Sequence, residues 1–208
     1  VNGRPLGVEW AAEHLPAIVE AWAPGMYAGQ AVAEILYGKV NPSAKLAITI
    51  PRSVGQLQMI YNHKPSQYFH PYAVKPSTPL WPFGYGLSYT TYKYDDLKLS
   101  AKEVSQNQNV EVSVKVTNTG QRDGVEIVQL YIRDKYSSVT RPVKELKDFA
   151  RVALKAGESK VVTFTITPDK LAFYDKKMKW IVEPGEFVVM AGASSADESL
   201  LKETFILK

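Results

Sequence analysis

Two pairs of carboxylates stand close enough in the sequence to suggest acid–base work. Glu183 and Glu186 flank Pro184-Gly185, and Asp95 and Asp96 are adjacent. Proton transfer or nucleophilic attack needs such groups facing one another across a reacting bond, whereas turn and strand-edge positions make both pairs ordinary surface acids. His63 and His70 stand seven residues apart in an aromatic stretch, with no third ligand at metal-site spacing. Each reads as a loop anchor or a contact at the rim of a cleft, and Tyr61 shares that choice. Trp81 and Phe83 could stack on a CH-rich ligand face, but packing between domains is the stronger reading. Gly84-Tyr85-Gly86 neither opens a helix after a strand nor leads to Lys-Ser/Thr, so it is no phosphate loop. Its glycines instead permit positive φ or a tight backbone approach. Arg141, Lys144 and Lys147 form a small basic cluster interleaved with Glu145 and Asp148, which reads as a solvated strand face. No catalytic, substrate-binding or metal-binding residue is assigned from this inventory, and no cofactor is implied.

The elements that would hold these residues change character near residue 90. Ten of the 13 prolines, three of the four tryptophans and all three histidines precede Tyr89, while Lys, Asp, Glu and Val dominate afterwards. Two domains are expected, 1–90 and 91–208. In the first, the apolar run Pro16 to Trp22 is short enough to favour a strand. Ala28 to Tyr37 places Ala31, Val32, Ile35 and Leu36 on one helical stripe, with Gly38 as the stop. Lys45 to Ile50 then reads as a strand ended by Pro51. Strand, helix and strand in order imply a parallel sheet with crossover helices. So few strands cannot make a stable open sheet, so the rest of it is expected upstream of Val1. From Gly55 to Tyr89 no period is visible, and a loop so long is functional or bridges domains.

Beyond Tyr92 the pattern is simple. Val110, Val112, Val114 and Val116 alternate with polar residues, the mark of a half-buried strand. Further strands are expected at Gly124 to Arg133, Val143 to Ala153, Val161 to Ile166, Phe187 to Ala191 and Leu200 to Leu207. Short strands separated by turn signals predict an antiparallel sandwich of immunoglobulin or fibronectin type. The fold class is therefore α/β followed by all-β.

Composition limits the alternatives. No apolar run approaches the length of a membrane span, and the 25 basic residues against 21 acidic are spread along the chain, which speaks against a nucleic-acid partner. Without cysteine there is neither a disulfide framework nor a thiolate site. The missing cysteines also favour the fibronectin-like variant of the sandwich. The opening Val1-Asn2-Gly3-Arg4-Pro5 carries no initiator Met or signal core, which suggests a fragment.

Several multi-residue motifs then fall in one order. Asn2-Gly3-Arg4-Pro5-Leu6 is followed by Ala21-Trp22-Ala23-Pro24-Gly25, Ala31 to Gly38, Asn41-Pro42-Ser43-Ala44-Lys45-Leu46 and Pro51-Arg52-Ser53. Pro82 to Thr90, Val128 to Tyr131, Arg141 to Leu146 and Glu183 to Phe187 complete the series. Together they resemble the C-terminal portion of glycoside hydrolase family 3, of the periplasmic β-glucosidase type, over essentially the whole chain. Departures are local: Ala28 stands where the family often has Gly, and Ala44 and Ala47 replace a common Gly and Pro.

The resemblance implies a three-part enzyme. A TIM-like barrel supplies an aspartate nucleophile, an α/β sandwich supplies a glutamate acid/base, and a fibronectin-like module follows. Retaining hydrolysis needs those carboxyls about 5 to 5.5 Å apart, and in the family both precede the Asn-Gly-Arg-Pro motif. This chain alone is then expected to be inactive. Its implied partners are the barrel and the first part of the α/β domain of the same protein, together with an oligosaccharide, in the periplasm or outside the cell; a homodimer stays open. A β-xylosidase, or a non-catalytic carbohydrate-binding or interaction module, remain the alternatives.

Overall fold

A computed structural model describes residues 1–56, 59–65 and 76–208. The second half of the chain is a sandwich of two sheets. One has three strands in the order β1–β3–β6, formed by Tyr92–Leu99, Val110–Asn118 and Ser159–Ile166. The other has five in the order β2–β10–β9–β4–β5, formed by Glu103–Val104, Leu200–Leu207, Gly185–Gly192, Gly124–Asp134 and Glu145–Leu154. A hairpin of β7 (Phe173–Tyr174) and β8 (Trp180–Ile181) follows the short helix α3 (Pro168–Leu171).

The alternation in β3 decides where the core lies. Val110, Val112, Val114 and Val116 are at most 1% exposed, each burial contributing about 1.5–3 kcal/mol. They meet Val128, Leu130 and Ile132 of β4, Val162, Phe164 and Ile166 of β6, and the stacked pair Phe187–Phe205, whose ring centroids are 5.4 Å apart. The other face of the five-stranded sheet is covered too: Tyr131, Met190 and Leu200 form a second apolar cluster against Tyr61 and Phe83 of the first segment. Because β4 is buried on both faces, it reads as a continuous apolar run, and its polar members must find partners.

The first segment holds helices α1 (Glu9–His14) and α2 (Ala28–Leu36) and a single turn of 3₁₀ helix at Gly25–Tyr27. The expected helix is thus present, and Gly38 closes it at φ +70°. The expected strand over Pro16 to Trp22 is not formed: no residue of the run pairs in a ladder among the described residues, and Trp22 lies at φ 49°. Lys45 to Ile50 is not a parallel strand either. Its bonds run antiparallel to the aromatic segment: the N–H of Leu46 donates to Tyr85 O (2.8 Å), that of Gly84 to Leu46 O (2.7 Å) and that of Ile50 to Trp81 O (2.9 Å). The backbone groups of Leu46 and Ile50 thus find their partners on the next extended stretch of the chain. An α/β segment followed by an all-β sandwich describes the whole. No residue of α1 or α2 is buried, and Trp10, Met26, Tyr27, Leu36 and Tyr37 are all exposed.

Candidate functional site

The residues with chemical potential converge where segment 80–86 crosses the outer face of the five-stranded sheet. Phe83 stacks on Tyr61 at 4.3 Å between centroids, and Tyr61 meets Tyr131 edge-on at 5.8 Å. The Tyr61 hydroxyl accepts from the N–H of Leu146 at 3.2 Å. Burial pushes the phenols of Tyr61 and Tyr131 up, so both stay protonated at neutral pH and neither serves as a base. Trp81 lies parallel to Tyr85 at 6.4 Å.

Beside these rings Gln129 acts as an amide clamp. Its Nε2 donates to Gly84 O at 3.1 Å and to Ala193 O at 2.7 Å, and its Oε1 accepts from the Tyr131 hydroxyl at 2.5 Å. Gly84 has φ +79°, and a Cβ there would lie 2.0 Å from Gln129 Oε1. At Gly86 a Cβ would lie 2.7 Å from Ala44 O. The two glycines therefore serve the two purposes anticipated, positive φ at one and close approach at the other. The N–H of Ser195 donates to Phe83 O at 2.9 Å, and the ammonium of Lys144 donates to Ser195 O at 2.8 Å and to Asp197 Oδ1 at 3.1 Å. Burial lowers the pKa of Lys144 against the opposing pull of the Asp197 carboxylate.

A second pin sits nearby. Lys45 Nζ lies 3.2 Å from Glu126 Oε2, with side chains 12% and 1% exposed, and donates to Gly86 O at 2.9 Å; Tyr94 donates to Glu126 Oε1 at 2.8 Å. Asn41 spans the same seam, donating to Asp123 O and accepting from Ser88 Oγ and the N–H of Tyr89.

The carboxylate pairs do not form acid–base couples. Glu183 accepts from the N–H of Ser138 at 2.8 Å, while Glu186 takes the Lys135 ammonium at 2.9 Å. Asp95 pairs with Lys93 at 3.0 Å, and Asp96 sits at φ 54° in a bulge of β1. His63 anchors the loop: its Nδ1 lies 2.7 Å from Lys64 O, and its own carbonyl accepts from the N–H of Val143 at 3.0 Å. His70 lies outside the described residues. Among those described, no group of three or more His, Asp or Glu is arranged to hold a metal.

The basic cluster is not a solvated face. The side chains of Arg141 and Lys144 are only 8% and 7% exposed. Arg141 lies 4.5 Å over the ring of Phe173 and binds Glu145 at 2.5 Å, and Lys147 reaches Glu145 at 3.6 Å. Long cations bury their stems when a carbonyl, carboxylate or ring takes the head, which the charge pattern alone does not reveal. Gln129 and Glu126, which hold this junction, are not singled out by the sequence reading, and Lys144 is read there only as part of a solvated face. The available signal was the pair of polar residues inside the apolar run Val125 to Ile132. What the arrangement does is hold: rings, an amide and two buried cations fix segment 80–86.

Comparison with known proteins agrees with that geometry. Residues 1–89 match the glycosyl hydrolase family 3 C-terminal domain, and residues 126–195 match the fibronectin type III-like domain. The chain belongs to glycoside hydrolase family 3. Within it, the chain is 44% identical over 211 residues to a β-xylosidase of Formosa agariphila, covering all of this chain and 29% of that protein. To a periplasmic β-glucosidase of Salmonella typhimurium it is 43% identical, covering 94% and 27%. A solved β-glucosidase of Erythrobacter marinus superposes with a TM-score of 0.96 at 45% identity, covering 100% of this chain and 27% of its own. A Listeria innocua β-glucosidase in complex with glucose gives 0.91 at 37%, covering 99% and 30%. The chain thus spans between 27% and 30% of the length of these family 3 relatives. No described helix is long and apolar enough to cross a membrane.

Proposed function

We propose that this chain is the C-terminal scaffold of a retaining, exo-acting β-glycosidase that releases terminal β-linked sugars from oligosaccharides. The observation that carries the reading is the full-length superposition on a β-glucosidase of which it covers 27%. Residues 1–90 form the end of the α/β domain and 91–208 the fibronectin-like module. The catalytic Asp and Glu lie on a TIM-like barrel and on the first part of the α/β domain, outside this chain, and no residue here is assigned a catalytic, substrate-binding or metal role. Helices α1 and α2 support this, because neither buries a residue within the chain. An amphipathic helix gains its stability from packing its apolar face, so these faces are read as docking on the barrel and the rest of the α/β domain. The junction then fixes the α/β end against the sandwich by burial and hydrogen bonding. The periplasm or the extracellular space is the proposed location, supported by the relative named as periplasmic.

A β-xylosidase is the second reading, favoured by the 44% identity to a protein of that name. Sugar choice would rest with residues of the barrel. The test is the polypeptide encoded by the whole gene, assayed with cellobiose, xylobiose and their 4-nitrophenyl glycosides. Release of single sugars with retained β configuration in the first-formed product supports the proposal. Internal cleavage, inversion or no hydrolysis of either series overturns it.

A further inference from the structure

Apart from Phe173 beneath Arg141, the β7–β8 hairpin takes no part in the contacts described so far. Its cross-strand pair Tyr174 and Trp180 stands 57% and 54% exposed, with ring centroids 4.8 Å apart and planes inclined at 57°. Partners of opposite kind lie on the other side: Phe173 is buried beneath Arg141. The turn is rigid. Asp175 Oδ1 accepts from the N–H groups of Lys177 (2.8 Å) and Lys179 (2.9 Å), the N–H of Asp175 donates to Lys179 O, and that of Met178 donates to Asp175 O. That occupies the one carboxylate on the hairpin. Lys176, Lys177 and Lys179 are exposed, and no ion pair is formed by any of them among the described residues.

Three lysines without an ion pair among the described residues thus share one hydrogen-bonded hairpin with two exposed rings. We propose that this hairpin binds an acidic saccharide, one carrying uronate carboxylates, through stacking on Tyr174 and Trp180 and ion pairing with the three lysines. The rings are amphipathic surfaces whose faces accept the CH-rich face of a pyranose, and the lysines complement carboxylates set along the sugar chain. The inclined rings close the gap between them to a second ring, which disfavours insertion of a nucleic-acid base. A membrane surface is disfavoured because the apex carries Lys176 and Lys177, and charges there would enter the apolar layer first. Preorganisation limits the ordering cost of binding. The inference is independent of the hydrolytic reading, because it is tested by binding to this chain alone.

The experiment is a ¹⁵N NMR titration of the 208-residue chain with trigalacturonate, cellotriose, hexaglutamate and an oligothymidylate, with phosphatidylglycerol vesicles tested by co-sedimentation. Trigalacturonate is expected to shift the amides of 174–180 and the Trp180 indole N–H. Trp180→Ala should weaken it at least about fivefold, and the Lys176→Gln/Lys177→Gln/Lys179→Gln variant should erase its advantage over cellotriose. All four positions are exposed, so the fold is expected to persist, with unchanged amides of 110–116 as the check. Equal binding of cellotriose or hexaglutamate, indifference to Trp180→Ala, or preference for the oligonucleotide or the vesicles overturns the proposal.

Discussion

Gly84 and Gly157 share nearly the same left-handed backbone, φ +79° and +75°, yet alanine at the two positions will not cost the same. Forcing an L side chain into that region costs about 1–2 kcal/mol at either site. At Gly157 nothing lies within 4 Å of the added Cβ, so the conformational cost is the whole effect. At Gly84 the Cβ would meet Gln129 Oε1 at 2.0 Å and its Cδ and Nε2 at 2.8 Å. Gln129 is 2% exposed and cannot swing into solvent without abandoning Gly84 O, Ala193 O and the Tyr131 hydroxyl. Buried groups left without partners add about 1–3 kcal/mol, so Gly84→Ala should exceed Gly157→Ala by that amount. Urea unfolding of both variants with a common slope measures the difference directly. Equal losses at the two positions would refute the clamp, because they would mean that the amide network adds nothing to the φ cost.

Three further outcomes follow from the junction and the sandwich. Glu126→Gln removes the counter-charge of the largely enclosed Lys45 ammonium, leaving it only Gly86 O, and should cost about 3 kcal/mol; adding Lys45→Met should recover most of it, read from a double-mutant cycle in urea. Phe83→Ala removes the ring stacked on Tyr61 and should cost about 3 kcal/mol, with faster limited proteolysis between residues 76 and 91 than in the parent. Asp134 is buried, and that burial raises its carboxyl pKa against the nearby Arg141 charge. The folded state therefore prefers the protonated acid, and the associated stability is present at low pH and lost as pH rises through the folded-state pKa. Asp134→Asn should melt higher than the parent at pH 7, with the advantage gone below about pH 3.9.

The sandwich was legible where side chains alternate cleanly. The valines of β3 announce their own burial, and the strand expected at Leu200 to Leu207 coincides with β10. Strand β1 was not placed, because Tyr92 to Leu99 mixes aromatic and charged residues and the bulge at Asp95–Lys98, with Asp96 at φ 54°, breaks the period of two. The first segment misled for a different reason. Its apolar runs imply burial but not the partner, so Pro16 to Trp22 reads as a strand although it joins no ladder among the described residues. The junction was half visible: Tyr61, Trp81 and Phe83 drew attention as aromatics, and Gly84 and Gly86 as backbone devices. The roles of Gln129, Lys144 and Arg141 were not legible because each also reaches a distant partner: the two carbonyls that Gln129 donates to lie 45 and 64 residues away, the partners of Lys144 lie 51 and 53 away, and Arg141 covers the Phe173 ring.

If this chain supplies scaffold while the hydrolytic carboxylates lie elsewhere, the 208-residue chain alone turns over no glycoside. Purified chain incubated with 4-nitrophenyl β-glucoside and β-xyloside should release nitrophenol no faster than a heat-treated control. Release above that control, abolished by changing a single Asp or Glu of this chain to its amide, would put a hydrolytic carboxylate within these 208 residues.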